Sequence, residues 1–264
     1  MLRKILLSLL VLSFFVTGTE SRAEKYVVAT DCTFPPMEYL DDQKQPVGFD
    51  PAIIKEIAKA SGFEVDVQNI AWDGIFAGVA AGKYEIVASG VSITPERQKA
   101  FDLSDPYYDV YPTIITMAGS SIKKPSDLNG KKVGGQIGNS SLIALQKANT
   151  GCTIREYDDV GLAIEDMVKG RIDATCLDSP VALYYMNKKK EYANKLQVAM
   201  TIGEPEHYGF VVKKGNKELL NWINDEIVKL GKENFFHKDY EQTLKPVYGS
   251  DVDPDDIVVE GGQL

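Results

Sequence analysis

The sequence points to an α/β protein of two lobes, each a mainly parallel sheet flanked by helices, the two joined by two hinge strands. Three observations carry this expectation. Short β-branched runs alternate with amphipathic stretches, the signature of βαβ units and a parallel sheet. The alternation runs through twice, first from Tyr26 to Tyr107 and again from Lys132 to Leu177. Two β-rich runs outside these series, near Thr113–Met117 and Tyr208–Val212, read as a double crossover between lobes. The expected divisions are a first lobe over 24–114 that returns over 210–250, a second lobe over 115–209, and an acidic tail over 251–264.

In the first series Tyr26–Thr30 reads as a strand. Asp50 and Pro51 then read as N-cap and first position of a helix whose apolar face is Ile53, Ile54, Ile57 and Ala58, with Gly62 as its left-handed stop. Glu64–Val67 is a second strand, Gly74–Ala81 a short helix and Glu85–Ser89 a third strand. Thr94-Pro95 opens another helix. In the second series Lys132–Gln136, Thr153–Tyr157 and Ala174–Leu177 read as strands, and helices start at Ser140 and near Gly161. A last helix over Asn216–Leu230 returns to the first lobe.

The N-terminus reads as an export signal. Arg3 and Lys4 precede an apolar run from Ile5 to Phe15, and Ser21-Arg22-Ala23 is a small-x-small cleavage pattern, so cleavage after Ala23 is expected. The apolar run is too short for a membrane span. Loss of residues 1–23 removes three basic side chains and one acidic one from 29 and 38, leaving 26 and 37, a net charge of −11. Such an acidic chain argues against nucleic acid or an anionic membrane as partner. A monomer in the periplasm is expected.

Cys32, Cys152 and Cys176 are an odd set at wide spacing, not a disulfide framework. Cys152–Cys176 is the conceivable pair, but Cys176 reads as mid-strand core, which favours no bridge. With only His207 and His237, no Cys/His cluster has metal-ligand spacing, and no G-x-S-x-G elbow is present. No metal, cofactor or catalytic residue is expected.

Open α/β sheets bind ligands at the carboxyl ends of their strands. The residues at those ends are polar or small in this chain: Asp31 and then Phe34, Ser89-Gly90 and Ser92, Gln136 through Ser140, and Asp178. Loops are polar anyway, which explains any one of these positions better than it explains the set. Arg97 is the sharpest. As third residue of the helix opened by Thr94 it puts a cation in the first turn, against the helix dipole, at a cost of about 0.3–1 kcal/mol. A bound anion reverses that sign, and a guanidinium beside helix amides grips a carboxylate. A surface ion pair with Glu96 or Asp102 is the competing reading. Gly138-Asn139-Ser140-Ser141 is a second helix start, explicable as capping alone, and not a P-loop. Asp178 serves either the cap of Ser179-Pro180 or a ligand's ammonium group. Phe34 and Trp72, placed in loops, serve either as core or as walls against a ligand.

These residues, in this order, resemble the periplasmic polar amino-acid-binding proteins, the family of histidine-, lysine/arginine/ornithine- and glutamine-binding proteins. The matching stretches include Ala29-Thr30-Asp31, Val47-Gly48-Phe49-Asp50, Ala71-Trp72-Asp73-Gly74, Ser92-Ile93-Thr94-Pro95-Glu96-Arg97, Ser104-Asp105-Pro106-Tyr107-Tyr108 and Gly170-Arg171-Ile172-Asp173-Ala174, from about Lys25 to Tyr248. The resemblance implies the type II periplasmic-binding-protein fold, closure of the lobes on a free amino acid, and delivery to an inner-membrane ABC permease. It implies that Arg97 grips the α-carboxylate with Ser92 and the Ser140 amide, and that Asp178 and Gly90 hold the α-ammonium. Phe34 and Trp72 would sandwich the side chain, with Asp31, Ser89 and Gln136 at its distal end. Gln136-Ile137-Gly138-Asn139-Ser140 departs from the family's usual Gly-Thr-Thr segment, and Gly90 replaces a serine found in some binders of basic amino acids. Asp31 favours a basic ligand such as arginine or lysine over glutamine or histidine. Two other readings compete: a cyclohexadienyl-dehydratase-like enzyme, disfavoured because Asp178 suits an ammonium group, and a ligand-sensing periplasmic module.

Overall fold

A computed structural model of the chain describes residues 24–248 apart from Ala193; the expected export signal and acidic tail lie outside the described residues. Two five-stranded sheets organise the chain. The first runs Glu64–Asn69, Lys25–Thr30, Ile86–Val87, Val211–Lys213, Phe101–Leu103. Its first three strands are parallel, and Val211–Lys213 enters antiparallel between Ile86–Val87 and Phe101–Leu103. The second runs Thr153–Tyr157, Lys132–Gln136, Ala174–Asp178, Pro112–Met117, Leu196–Thr201, again three parallel strands and then an antiparallel one. Each lobe thus takes one strand from chain that has just crossed over.

The crossover itself sits a few residues from the expected place. Pro112–Met117 is a full member of the second sheet and Val211–Lys213 of the first. Between the sheets runs the antiparallel pair Tyr108–Val110 and Glu206–Tyr208, extended by a bridge from Tyr208 to Ser92. Aromatic packing stiffens this pair: Tyr108 stacks on Tyr208 at 5.6 Å, and Tyr107 on Phe210 at 4.6 Å. All four rings are buried, and each contributes about 1.5–3 kcal/mol by leaving water.

The helix Phe49–Ser61 buries Phe49, Ile53, Ile54, Ile57 and Ala58, as its periodicity predicts, and stops at Gly62 with φ 76°. It starts earlier than expected. Gly48, not Asp50, is the N-cap, and the Asp50 carboxylate instead accepts from the Gly90 N–H and the Tyr107 hydroxyl, each at 2.7 Å. Lys217–Lys232, capped by Asn216, packs on this helix, as does Phe235–Thr243, which buries Phe236 and Tyr240. A small antiparallel sheet of Thr33–Phe34, Glu38–Leu40 and Pro46–Val47 folds over the first lobe and sets Phe34 opposite Glu38. All three cysteines are free; Cys176 lies in the core of the Ala174–Asp178 strand. No helix among the described residues is long and apolar enough to cross a membrane.

Candidate functional site

The carboxyl ends of the parallel strands in both sheets face each other across the cleft between lobes. Asp31 follows Lys25–Thr30, and Gln136 ends Lys132–Gln136. The Gln136 amide donates to the Asp31 carboxylate at 3.1 Å, a direct bond across the cleft. The second is Ser140 to Ser92, hydroxyl to hydroxyl at 2.8 Å. The third runs from Arg97 Nη2 to the Gly138 carbonyl at 3.2 Å. At the rim Lys147 and Glu96 add an exposed ion pair at 3.7 Å. The cleft is therefore closed.

Asp31, Phe34, Trp72, Ser89, Gly90 and Gln136, six of the ten expected site residues, line a small chamber of about 10 Å³ in the closed cleft. Glu38 and Asn139 complete its wall. Trp72 is the first residue of the helix Trp72–Ala81, not a loop residue, and Phe34 lies in the two-residue strand Thr33–Phe34. Ser92, Arg97, Ser140 and Asp178 stand outside this chamber. Ser92 and Ser140 bond each other, and Arg97 holds the Ser92 carbonyl at 2.9 Å with Nη1. Arg97 and Ser140 also border an outer groove of about 530 Å³.

Thr94 caps the helix Pro95–Ala100 through a bond from the Arg97 N–H, which fixes the backbone from which Arg97 reaches out. Its guanidinium lies 5.5 Å from the Trp72 ring and 5.1 Å from the Phe76 ring, cation–π distances. Asp178 occupies the N-cap position of Ser179–Asn187 without capping it. Its carboxylate accepts from the Ser141 and Tyr208 hydroxyls. Burial pushes it up to about 6, against the pull of those two bonds. Among the described residues neither Arg97 nor Asp178 has an ion-pair partner. A guanidinium on the first lobe and a carboxylate on the second flank the same closed cleft, too far apart to pair directly; each feels the other's charge, but burial outweighs that attraction at both.

Burial also raises Asp31, although Thr33 donates to it from hydroxyl and backbone and Gln136 from the other lobe. Sequence reasoning missed Glu38 and Tyr208, and read Asn139 and Ser141 only as part of a helix start. Glu38 is fully buried, accepts from the Ser89 hydroxyl at 3.0 Å, and leaves Oε2 without a partner. Its one legible signal is an acid set in the apolar run Phe34-Pro35-Pro36-Met37. Among the described residues no group of three or more His, Cys, Asp or Glu could hold a metal.

A family model described as bacterial extracellular solute-binding proteins, family 3, matches residues 26–245. The chain belongs to that family. It is 31% identical over 209 residues to the L-cystine-binding protein TcyJ of Escherichia coli strain K12, covering 78% of this chain and 77% of that one. It is 29% identical over 218 residues to a probable histidine-binding protein of Neisseria gonorrhoeae, covering 81% of each. Among solved structures it resembles an ancestral arginine-binding protein bound to arginine, with TM-score 0.79, 35% identity, and coverage of 84% of this chain and 99% of that one. It likewise resembles an ancestral amino acid-binding protein described as a precursor of cyclohexadienyl dehydratase, with TM-score 0.77, 36% identity, and coverage of 84% and 96%. These likenesses run through both lobes of this family 3 solute-binding protein, and they bear out the two-lobed type II fold expected from the sequence.

Proposed function

We propose that this family 3 protein binds a free polar L-amino acid in the periplasm, a basic one such as arginine or lysine in preference, and delivers it to an inner-membrane ABC permease. The observation that carries the reading is the opposed pair of charges, Arg97 on the first lobe and Asp178 on the second, neither paired among the described residues. Arg97 receives the α-carboxylate, with the Ser92 and Ser140 hydroxyls beside it, and Asp178 and Gly90 receive the α-ammonium. Phe34 and Trp72 flank the side chain, and Asp31, Ser89 and Gln136 meet its far end. The protein acts as a monomer after cleavage near Ala23, its lobes being residues 24–114 with 210–250, and 115–209, to within the few residues of the crossover.

The relatives that bind histidine, cystine and arginine support an amino acid as ligand, and a zwitterion matches the charge pair. The test is thermal denaturation of the mature protein against a full L-amino acid panel. Ligand at about 100 times Kd adds about 2.7 kcal/mol to the folded state, which for a chain of this size raises Tm by about 5–10 °C. One or a few amino acids should give that shift; a melting curve unmoved by the whole panel refutes the reading. The second reading, an enzyme, draws on the ancestral neighbour described as a dehydratase precursor, and prephenate turnover assayed directly decides it. Asp178 stands against it, since prephenate carries no ammonium group.

A further inference from the structure

Away from the ligand cleft, a further groove of about 590 Å³ runs along the junction of the lobes. The first lobe supplies Tyr39 and Lys55 to its wall, the second supplies Tyr184 and Lys188, and the closing segment of the chain supplies Thr243 and Pro246. A neighbouring groove of about 320 Å³ continues it past the same two tyrosines to Lys189. Tyr39 keeps 38% of its surface in water. Exposed aromatic surface and clustered cations therefore meet in one place on a chain whose net charge is strongly negative. Among the described residues none of Lys55, Lys188 and Lys189 has a carboxylate partner: Lys55 donates to the Pro46 carbonyl at 3.2 Å, and Lys189 lies 5.9 Å from the Tyr185 ring. On the closing helices, by contrast, Lys229 pairs with Glu226 and Lys245 with Glu241, and Lys238 holds the Glu233 carbonyl.

We propose that this groove is the docking site of the chain's own acidic segment, residues 251–256, which lies beyond the described residues. The first support is where the described chain stops. Its last helix, Lys245–Tyr248, packs on Ser179–Asn187 of the second lobe, and Pro246 is already part of the groove wall. Only Gly249 and Ser250 stand between that helix and the acids. Residues 249–256 reach at most about 26–29 Å, close to the diameter of a small domain, so the groove is within range. The second support is charge. Asp251, Asp253, Asp255 and Asp256 answer the three lysines, and the apolar Ile257-Val258-Val259 that follows suits the tyrosine surface. Acidic tails are ordinarily solvated, because exposed ion pairs are weak. The short tether changes the balance: it holds the acids at an effective concentration on the order of mM, so contacts too weak to retain a free peptide retain this one. Because the groove takes its wall from both lobes, the docked segment touches both. The proposal goes beyond the amino-acid-binding reading and does not depend on it.

The test is carbodiimide cross-linking of the full mature protein at low concentration, which joins carboxylates to lysines only where they touch, with the links mapped by mass spectrometry. Asp251, Asp253, Asp255 and Asp256 should link within one chain to Lys55, Lys188 or Lys189, and the links should fade in about 1 M NaCl, where the Debye length falls to about 3 Å. Lysine acetylation gives a second readout. In the variant D251N/D253N/D255N/D256N, Lys55 and Lys188 should react at least about twice as fast as in the native protein, the factor for a groove half occupied, with exposed Lys83 unchanged. Tail carboxylates that link to lysines elsewhere, or to none, overturn the proposal, as do equal acetylation rates in protein and variant. Links to the groove that form only in covalent dimers overturn it too, and put a second copy there instead. Neither readout needs a bound amino acid, so failure here leaves the proposed function standing, and a melting curve unmoved by every amino acid leaves the docking groove standing.

Discussion

Removing the Arg97 side chain should abolish binding while leaving the fold almost untouched. In the folded protein Arg97 bonds two backbone carbonyls, Ser92 and Gly138, and stacks near Trp72 and Phe76. Against those contacts stands the cost of a cation in the first turn of a helix, about 0.3–1 kcal/mol. The stacking returns about 0.5–1 kcal/mol, so Arg97→Ala should change stability by no more than about 1 kcal/mol. Binding is different. A guanidinium–carboxylate pair closed off from water leaves the carboxylate stranded when the cation goes, a loss of about 2–5 kcal/mol. At about 1.4 kcal/mol per decade that is about 30- to 5000-fold in Kd. Arg97→Lys keeps the charge but loses the planar fork, and should fall between. Calorimetric titration with the best amino acid from the panel measures Kd, and urea unfolding measures stability on the same samples. An Arg97→Ala variant that binds within about threefold of the native protein refutes the carboxylate grip. A variant that loses several kcal/mol of stability shows instead that Arg97 is a structural residue.

Two further predictions concern stability and pH. Burial raises Asp50 and Asp239 to about 7 and Asp178 to about 6; between the ordinary carboxyl value of 3.8 and those folded values, the folded chain holds protons that the unfolded chain has released. Unfolding free energy then falls as pH rises, so the urea midpoint of the ligand-free protein should be higher at about pH 5.5 than at about pH 8, and Asp239→Asn should flatten part of that slope. Asp102 has the opposite sign: burial alone would raise it, but Lys217, the Gly215 N–H and Lys214 outweigh burial and hold it at about 2. Its contribution is present above about pH 4 and is lost as pH falls toward about 2. Asp102→Asn should cost about 1–3 kcal/mol at neutral pH, read as a lower urea midpoint with unchanged slope.

The sequence is most legible where local chemistry decides the structure. Lys132–Gln136 and Thr153–Tyr157 form residue for residue as predicted, because turn residues bound each short segment and fix its ends locally. Thr94 as cap and Arg97 as third helical residue are legible for the same reason. Asp50 misleads because a good local cap signal loses to a distant partner: its carboxylate is spent on Gly90 and Tyr107, 40 and 57 residues away in the chain. Trp72 reads as a loop residue because the Ala71 ahead of it has no capping side chain to announce a helix. Leu196–Thr201 escapes the sequence because, as an edge strand with a register shift between Val198 and Met200 and an exposed Val198, its apolar residues follow no period-2 alternation. Glu38 is hidden by the shortness of its hairpin. A three-residue strand has no period to read, and only the fold puts it beside Asp31 and Ser89.

The way the site is divided explains how closure can depend on the ligand. Besides the bonds made through the crossover strands, the lobes are joined across the cleft by Gln136 to Asp31, Ser140 to Ser92 and Arg97 to Gly138. At about 0.5–1.5 kcal/mol each these bonds are worth about 1.5–4.5 kcal/mol together. The Lys147–Glu96 pair is two-thirds exposed on both sides, and such pairs add about 0–1 kcal/mol. Against this, Asp178 is buried and Arg97 half-buried beside the cleft, and the attraction between them offsets only part of their lost hydration. On the proposed reading, these opposing terms leave closure to be completed by the ligand. A zwitterion tips the balance because it answers both groups at once. A carboxylate alone leaves Asp178 stranded, and an amine alone leaves Arg97. On that reading the selectivity for an α-amino acid resides in closure itself, while the choice among amino acids is made separately, in the chamber walled by Phe34 and Trp72.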